Sequence, residues 1–445
     1  MVSRNNSFRL VIVLAGLGAA PLAAQAPVRL SFADAVRRAA GEAPTVQLAT
    51  LRTDEADARV RQTRAALLPS LGLSGAWVNR TFNSQSLGIT FPDSAPFRFP
   101  QLIGPFNNYD GRVTVTQALF DWSNVTRVRA ANAQADGSRA ERMVTVEGAA
   151  QVAALGYLRA ARAEAVVAAR QADSSIAAEL VTLAAAQKAA GVSAAIDVTR
   201  ARTQLVRAEG LLIVARNERD RAHIDLARSL GLDPATPLVL TDTLAGTLGA
   251  ADVPAERDAL VTAALAGRPD LGAELARGTA ARRTGSAIRA ERLPRLGVEA
   301  DYGVNGLTAP SAISTRQVAV LVTVPILDGF RREARLSEQD AIVRESQVRE
   351  RDLRQQITAD VDAALLDFRS AQAQQAVAAE QLQLAEDELS QARQRFKAGV
   401  AGNIEVIDAQ SNLIRARDTD IDARLTAAAA RVALARAAGV ARTLH

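Results

Sequence analysis

The stretch that decides the fold is residues 330–398, FRREARLSEQDAIVRESQVRERDLRQQITADVDAALLDFRSAQAQQAVAAEQLQLAEDELSQARQRFKA, which contains neither glycine nor proline. Inside a helix, proline costs about 3 kcal/mol and glycine about 1 kcal/mol relative to alanine. A run free of both therefore permits one uninterrupted helix, which at 1.5 Å per residue would be roughly 100 Å long. An apolar stripe follows it at helical spacing, at Leu353, Ile357, Val361, Leu365 and Phe368.

Proline is also absent from residues 122–190, which predicts a second helix of the same length. Each long segment ends at a glycine, Gly191 or Gly399, and a further helical segment follows, at 195–230 and at 404–438. A short break between two helices is typical of an antiparallel hairpin. The sequence therefore predicts two long helical hairpins, with tips near residues 191 and 399.

The two hairpins belong to an internal duplication. Three landmarks recur in the same order: Leu68-Pro69 as Leu293-Pro294, Leu119-Phe120-Asp121 as Ile326-Leu327-Asp328, and Ala190-Gly191-Val192 as Ala398-Gly399-Val400. Their offsets of 225, 207 and 208 residues place about 18 extra residues in the first copy, where 83–108 reads as a long loop. We expect a first repeat at 27–232, a linker or equatorial segment at 233–257, and a second repeat at 258–445.

Segments with period-two alternation precede each long helix. The predicted strands are residues 70–82, 111–120, 295–305 and 316–327, and Pro69, Pro294 and Pro325 mark the helix–strand junctions. Alternating segments of about ten residues are typical of membrane β-barrel strands. A soluble antiparallel sheet with one hydrated face is the alternative interpretation.

The first 26 residues have the pattern of a secretory signal peptide. Arg4 and Arg9 precede an apolar run at 10–20, and Ala24-Gln25-Ala26 is a small-x-small cleavage site. An apolar run this short favours a cleaved signal over an anchoring helix. We therefore expect an exported protein.

Composition excludes several classes of function. The chain has no cysteine and only two histidines, His223 and His445, which excludes disulfides, thiolate metal sites and a three-histidine zinc site. The formal charge of +5 is spread among alternating basic and acidic residues, which disfavours nucleic-acid binding. No catalytic, cofactor or metal-ligating set is evident, so we expect a protein that is not an enzyme and has no cofactor.

Four strands per chain are too few for a closed barrel, because the smallest bacterial outer-membrane barrels have about eight. Open strand edges are not tolerated in lipid, where unpaired backbone groups have no partner. Three copies would supply twelve strands. The expected fold is mostly α with β: a trimeric helical barrel of long antiparallel hairpins, joined to a 12-stranded transmembrane β-barrel with four strands per protomer.

These landmarks resemble the TolC family of outer-membrane efflux proteins, from the opening helix at 30–36 to Gly439. The most specific element is the second tip, RFKAG at 395–399 leading to IEVIDAQ at 404–410. The resemblance implies a homotrimer in the outer membrane of a Gram-negative-type cell, with a large periplasmic extension. It also implies a passive exit duct for an efflux or type I secretion system, reached from an inner-membrane pump through a periplasmic adaptor protein.

By the same resemblance, Glu405 and Asp408 occupy the positions of carboxylates that ring the periplasmic entrance. Their i, i+3 spacing places both on one helix face, and threefold symmetry would gather six carboxylates, a ring that attracts cations. Two solvated carboxylates on a helix face are the alternative. Phe396 and Ala401 stand where some members lock the entrance with a tyrosine and an arginine, which leaves a latched resting state undecided.

The adaptor is expected to contact the hairpin tips. By resemblance the contacting residues are Gly191, Val192, Ser193, Gly399, Val400 and Gly402. Ser193 and Asn403 are also the expected helix N-caps. The alternative function is a soluble periplasmic adaptor protein of such a pump, which would predict one helical hairpin and no alternating strands.

Overall fold

The computed structural model describes residues 27–87, 100–244, 248–251, 254 and 256–445. The expected signal peptide lies outside these residues, as does the centre of the expected loop at 83–108. The helices are α1 (Phe32–Glu42), α2 (Pro44–Ala65), α3 (Trp122–Ala189), α4 (Ala195–Ser229), α5 (Arg257–Gly267), α6 (Pro269–Ala290), α7 (Arg331–Lys397) and α8 (Asn403–Ala437). The strands are β1 (Val28–Leu30), β2 (Ser70–Asn83), β3 (Leu102–Phe120), β4 (Leu238–Leu240), β5 (Arg295–Gly306) and β6 (Ile313–Thr323).

Two long hairpins dominate the molecule. Helix α3 has 68 residues and packs against α4, while α7 has 67 residues and packs against α8. Helix α3 continues through Gly137, Gly148 and Gly156 without a break. Across the described residues, no helix is both long and apolar enough to cross a membrane.

The elements lie side by side in three layers with the same arrangement. The sheet has the order β2-β3-β5-β6. Next to the sheet, contacts run α2-α3-α6-α7, and in the hairpins they run α4-α3-α8-α7. In each layer the first and last members are open edges: β2, α2 and α4 on one side, and β6 and α7 on the other.

The four-stranded sheet has one apolar and one polar face. All its pairings are antiparallel, and directly opposed residues lie on the same face. One row across the sheet is Leu71, Val115, Ala300 and Val318, whereas the adjacent row is Gly72, Thr114, Asp301 and Gln317. The apolar face is uncovered in a single chain, with Leu73 83% exposed.

Two strand boundaries differ from the sequence-based expectation. Strand β3 begins at Leu102 instead of near 111, because Leu102–Asn108 pairs with the end of β2 and shortens the expected loop. Strand β6 spans Ile313–Thr323 instead of 316–327. Pro325 has no backbone N–H with which to extend the ladder, so the chain leaves the sheet before it.

A small α/β layer surrounds the middle of α3. Strand β1 pairs in parallel with β4, and the main hydrophobic core lies beneath them. Tyr157 is fully buried there; its hydroxyl donates to the Leu30 carbonyl at 3.1 Å and accepts from the Asp242 N–H at 3.2 Å. Burial raises the pKa of Tyr157 to about 12.

Candidate functional site: the hairpin tips

The first tip is a glycine-terminated helix end. Gly191 has φ +75°, a left-handed conformation that favours glycine. The Val192 N–H donates to the Gln187 carbonyl at 3.0 Å, which closes the last turn of α3 as in a Schellman motif. Val192 itself lies at the apex and is 68% exposed.

The second tip repeats this geometry. Gly399 has φ +71°, and the Val400 N–H donates to the Arg395 carbonyl at 3.0 Å. Val400 is 73% exposed, and Gly402 occupies the N-cap position of α8. Each tip therefore presents an exposed valine beside glycine, a surface on which another chain can approach the backbone closely.

Neither expected N-cap is correct. Ala194 and Gly402 occupy the cap positions, and no side chain caps either helix. The Ser193 hydroxyl instead donates to Asp197 Oδ2 at 2.9 Å. The Asn403 side-chain amide donates to the Asp197 backbone carbonyl at 2.7 Å, so it joins the second tip to the first.

Another bond and a hydrophobic cluster hold the two tips together. Gln187 Nε2 donates to the Phe396 carbonyl at 2.9 Å. Phe396 is 3% exposed and lies in a hydrophobic cluster with members from α3, α4, α7 and α8. Its other large members are Leu180, Val198, Leu389, Val406 and Leu413. Phe396 therefore acts as a core residue of the paired tips.

The two expected gate carboxylates differ in environment. Glu405 lies in the first turn of α8, half-buried, with its Oε1 3.0 Å from Arg395 Nε. Asp408 is exposed and has no ion pair within the described part of the chain. Val406 and Ala409 are buried, so the carboxylates lie on the side of α8 away from the core. Sequence reasoning missed Arg395, because ten residues and a turn separate it from Glu405.

Farther from the tips, a buried ion network joins the two hairpins. Asp173 in α3 is 1% exposed and accepts from Arg170 Nη1 at 2.8 Å and from Arg417 Nη1 of α8 at 2.7 Å. Arg170 also pairs with Asp418 of α8. Although burial opposes it, pairing with the two aspartates raises the pKa of Arg170.

The three junction prolines lie just outside the strands. Pro69 and Pro294 each immediately precede a strand, β2 and β5 respectively, and Pro325 follows the end of β6. At these positions the missing proline N–H costs no ladder hydrogen bond. The three prolines therefore lie at the junctions between helix and sheet.

Known proteins share this architecture. CusC has a TM-score of 0.75 at 18% identity, with 92% of each chain covered. The CmeC outer membrane channel of Campylobacter jejuni has a TM-score of 0.75 at 15% identity, covering 92% of this chain and 86% of that one. At these identities the likeness concerns the fold.

Sequence comparison identifies the family as well as the fold. Protein CyaE of Bordetella pertussis is 28% identical over 399 residues, which cover 88% of this chain and 80% of that protein. The family model described as outer membrane efflux protein matches residues 35–232 and 260–440, most of the chain. The chain belongs to the outer membrane efflux protein family, the TolC-like channels.

Proposed function

We propose that three copies of this chain form the outer-membrane exit duct of a tripartite efflux or type I secretion system, a passive conduit from periplasm to exterior. The observation that carries the proposal is the shared arrangement of the three layers. Each layer ends in two different open edges, so copies can join edge to edge and close as a ring. Three copies supply twelve strands.

The duplication specifies how the copies join. Within one chain the first repeat meets the second through β3–β5, α3–α6 and α3–α8. The equivalent contacts from the second repeat to the next copy are β6–β2, α7–α2 and α7–α4. Exposed apolar side chains on the two edge helices, Val206 and Ile213 of α4 and Val377 and Leu384 of α7, suit this contact.

The two faces of the sheet support a transmembrane barrel. Leu71, Val115 and Val318 would face lipid, while Thr114, Asp301 and Gln317 would line a hydrated lumen. Arg112 lies on the polar face, where its Nη1 is 2.6 Å from Asp301. The chain would thus lie in the outer membrane, with the helices extending into the periplasm.

Engineered cysteines test the trimer directly, since the chain has none of its own. By the repeat offsets, the pair Thr114–Asp301 inside one chain corresponds to Leu321 with Ala76 of the next copy. Directly opposed antiparallel residues have Cα atoms about 4.5–5.5 Å apart, within disulfide range. We expect oxidised Leu321→Cys/Ala76→Cys protein to run as a covalent trimer on non-reducing gels.

The matched control is Leu321→Cys/Gly72→Cys, whose second cysteine lies on the same face about 13 Å farther along β2. It should remain monomeric on the same gel. Equal crosslinking of both variants, or a monodisperse monomer in detergent-free solution, would contradict the trimer and favour a soluble adaptor.

We place the periplasmic entrance at Glu405 and Asp408. Six carboxylates around a narrow opening would attract cations and repel anions. Three of them, the Glu405 side chains, carry an arginine partner in Arg395. The net charge of the ring would therefore depend on that ion pair as well as on the acidic residues.

We assign the contact with the periplasmic adaptor to the tips, at Gly191, Val192, Ser193, Gly399, Val400 and Gly402. A photo-crosslinking amino acid at Val192 or Val400 should yield one discrete heterologous adduct in intact cells. The same substitution at Val152, also an exposed valine but on the middle of α3, is the control. Adducts of equal yield from all three positions would contradict the assignment.

A further inference from the structure

The segments that connect the sheet to the helices carry a marked excess of positive charge. They are residues 60–69, 121–130, 286–295 and 324–335, which all adjoin the same end of the antiparallel sheet. Together they hold ten arginines and four acidic residues, a net charge of +6, whereas the whole chain carries +5. These segments, which we call the junction band, therefore carry more net positive charge than the chain as a whole, which corrects the even spread of charge expected from the sequence pattern.

All four acidic residues of the junction band are already paired. Asp121 pairs with Arg295, and Glu333 with Arg292. Asp328 pairs with Arg332. The buried Glu291 accepts from two further arginines of the band, Arg127 at 2.8 Å and Arg335 at 2.9 Å. Although burial works against it, these bonds lower the pKa of Glu291.

The other five arginines of the band are exposed in the single chain, and none has a carboxylate partner among the described residues. They are Arg61, Arg64, Arg129, Arg289 and Arg331. The guanidinium of Arg129 lies over the Trp122 ring, 5.1 Å from its centroid. A cation stacked on an exposed tryptophan is held in place while its N–H groups remain free.

Large apolar side chains are exposed next to these arginines. Phe120, Trp122, Leu327 and Phe330 all lie within the band or at its edge. Aromatic side chains together with cations are typical of a membrane interface, where rings enter the acyl region and guanidinium groups reach phosphate. Free arginines beside apolar rings match the two chemical parts of a phospholipid.

We propose that the junction band binds anionic glycerophospholipids of the periplasmic leaflet, with the unpaired arginines holding the phosphate and glycerol headgroups. The inference rests on the proposed function, which places the sheet in the outer membrane. The site should prefer an anionic headgroup to a zwitterionic one, because each unpaired arginine adds electrostatic attraction to an anionic lipid. The lipid would fill the outer rim of the band and fix the depth of the barrel.

Native mass spectrometry of the detergent-solubilised protein tests this, with phosphatidylglycerol and phosphatidylcholine offered at equal concentration. We expect bound phosphatidylglycerol to exceed phosphatidylcholine by about tenfold or more. The variant Arg64→Gln/Arg129→Gln/Arg331→Gln should lose that excess. Lysine at the same three positions should retain most of it, because the charge remains.

The control variant removes three exposed arginines of α4 instead: Arg202→Gln/Arg207→Gln/Arg216→Gln. It should keep the preference of the unmodified protein. An equal loss in this control, or no preference in the unmodified trimer, would overturn the lipid site and leave the trimeric duct standing. Spectra that contain only monomer and no trimer would instead overturn the duct.

Discussion

Replacing Asp173 by alanine is expected to lower the free energy of unfolding by about 3–5 kcal/mol per chain. Asp173 is buried and accepts from Arg170 and Arg417, so its removal leaves two guanidinium groups short of their shared counter-charge. Arg170 is itself buried and cannot recover full hydration. The measurement is the denaturant midpoint of the purified protein, followed by circular dichroism.

Asp220→Ala is the matched control, because Asp220 is an exposed carboxylate paired with the neighbouring Arg219 at 2.7 Å. Surface pairs of this kind contribute about 0–1 kcal/mol. Similar midpoints for the two variants would show that the network between the hairpins contributes no more than a surface ion pair. A large shift of the denaturant midpoint for Asp173→Ala alone would show that the ion network makes a major contribution to the packing of α3 against α8.

Loss of the two carboxylates at the proposed entrance is expected to have the largest effect on ion selectivity. In planar bilayers under a KCl gradient, Glu405→Ala/Asp408→Ala should reduce the cation-to-anion permeability ratio by about fivefold or more. A single charge about 4 Å from an ion in water is worth roughly 1 kcal/mol, or a factor of about five. Six charges would be removed from one opening.

The ion pair at Glu405 supplies an opposite prediction for the same recordings. Arg395→Ala should raise the permeability ratio, because it frees a carboxylate in each copy. Glu209→Ala/Glu218→Ala removes as many charges from exposed positions on α4 and should leave the ratio nearly unchanged. Unaltered selectivity in the Glu405/Asp408 variant would reject the entrance assignment.

The long helices could be predicted because their signal is local: glycine or proline is absent from the segment. Between Phe330 and Ala398 no residue interrupts a helix, and the glycines at 191 and 399 mark where each one ends. The start of β3 could not be predicted. Residues 102–108, LIGPFNN, lack period-two alternation, and only pairing with β2 makes them a strand.

The details of the tips were beyond sequence reasoning because they depend on contacts between different helices, within one repeat or between the two. Asn403 has the chemistry of an N-cap, yet its amide bonds to Asp197 in the other hairpin. The pairing of Arg395 with Glu405 crosses a turn and has no periodic signature. Arginine and aspartate three residues apart are common in this chain, so the sequence did not distinguish Arg170 and Asp173; their burial does.

If three copies assemble as we propose, the unlike sides of the chain have a genetic consequence. A subunit damaged only along β6 and α7 would still offer an intact β2, α2 and α4 to its neighbour. It would therefore join wild-type subunits in assemblies that cannot close as a ring, and those wild-type subunits would be inactivated. Lesions confined to one flank should behave as dominant alleles, whereas lesions that unfold the chain outright should be recessive.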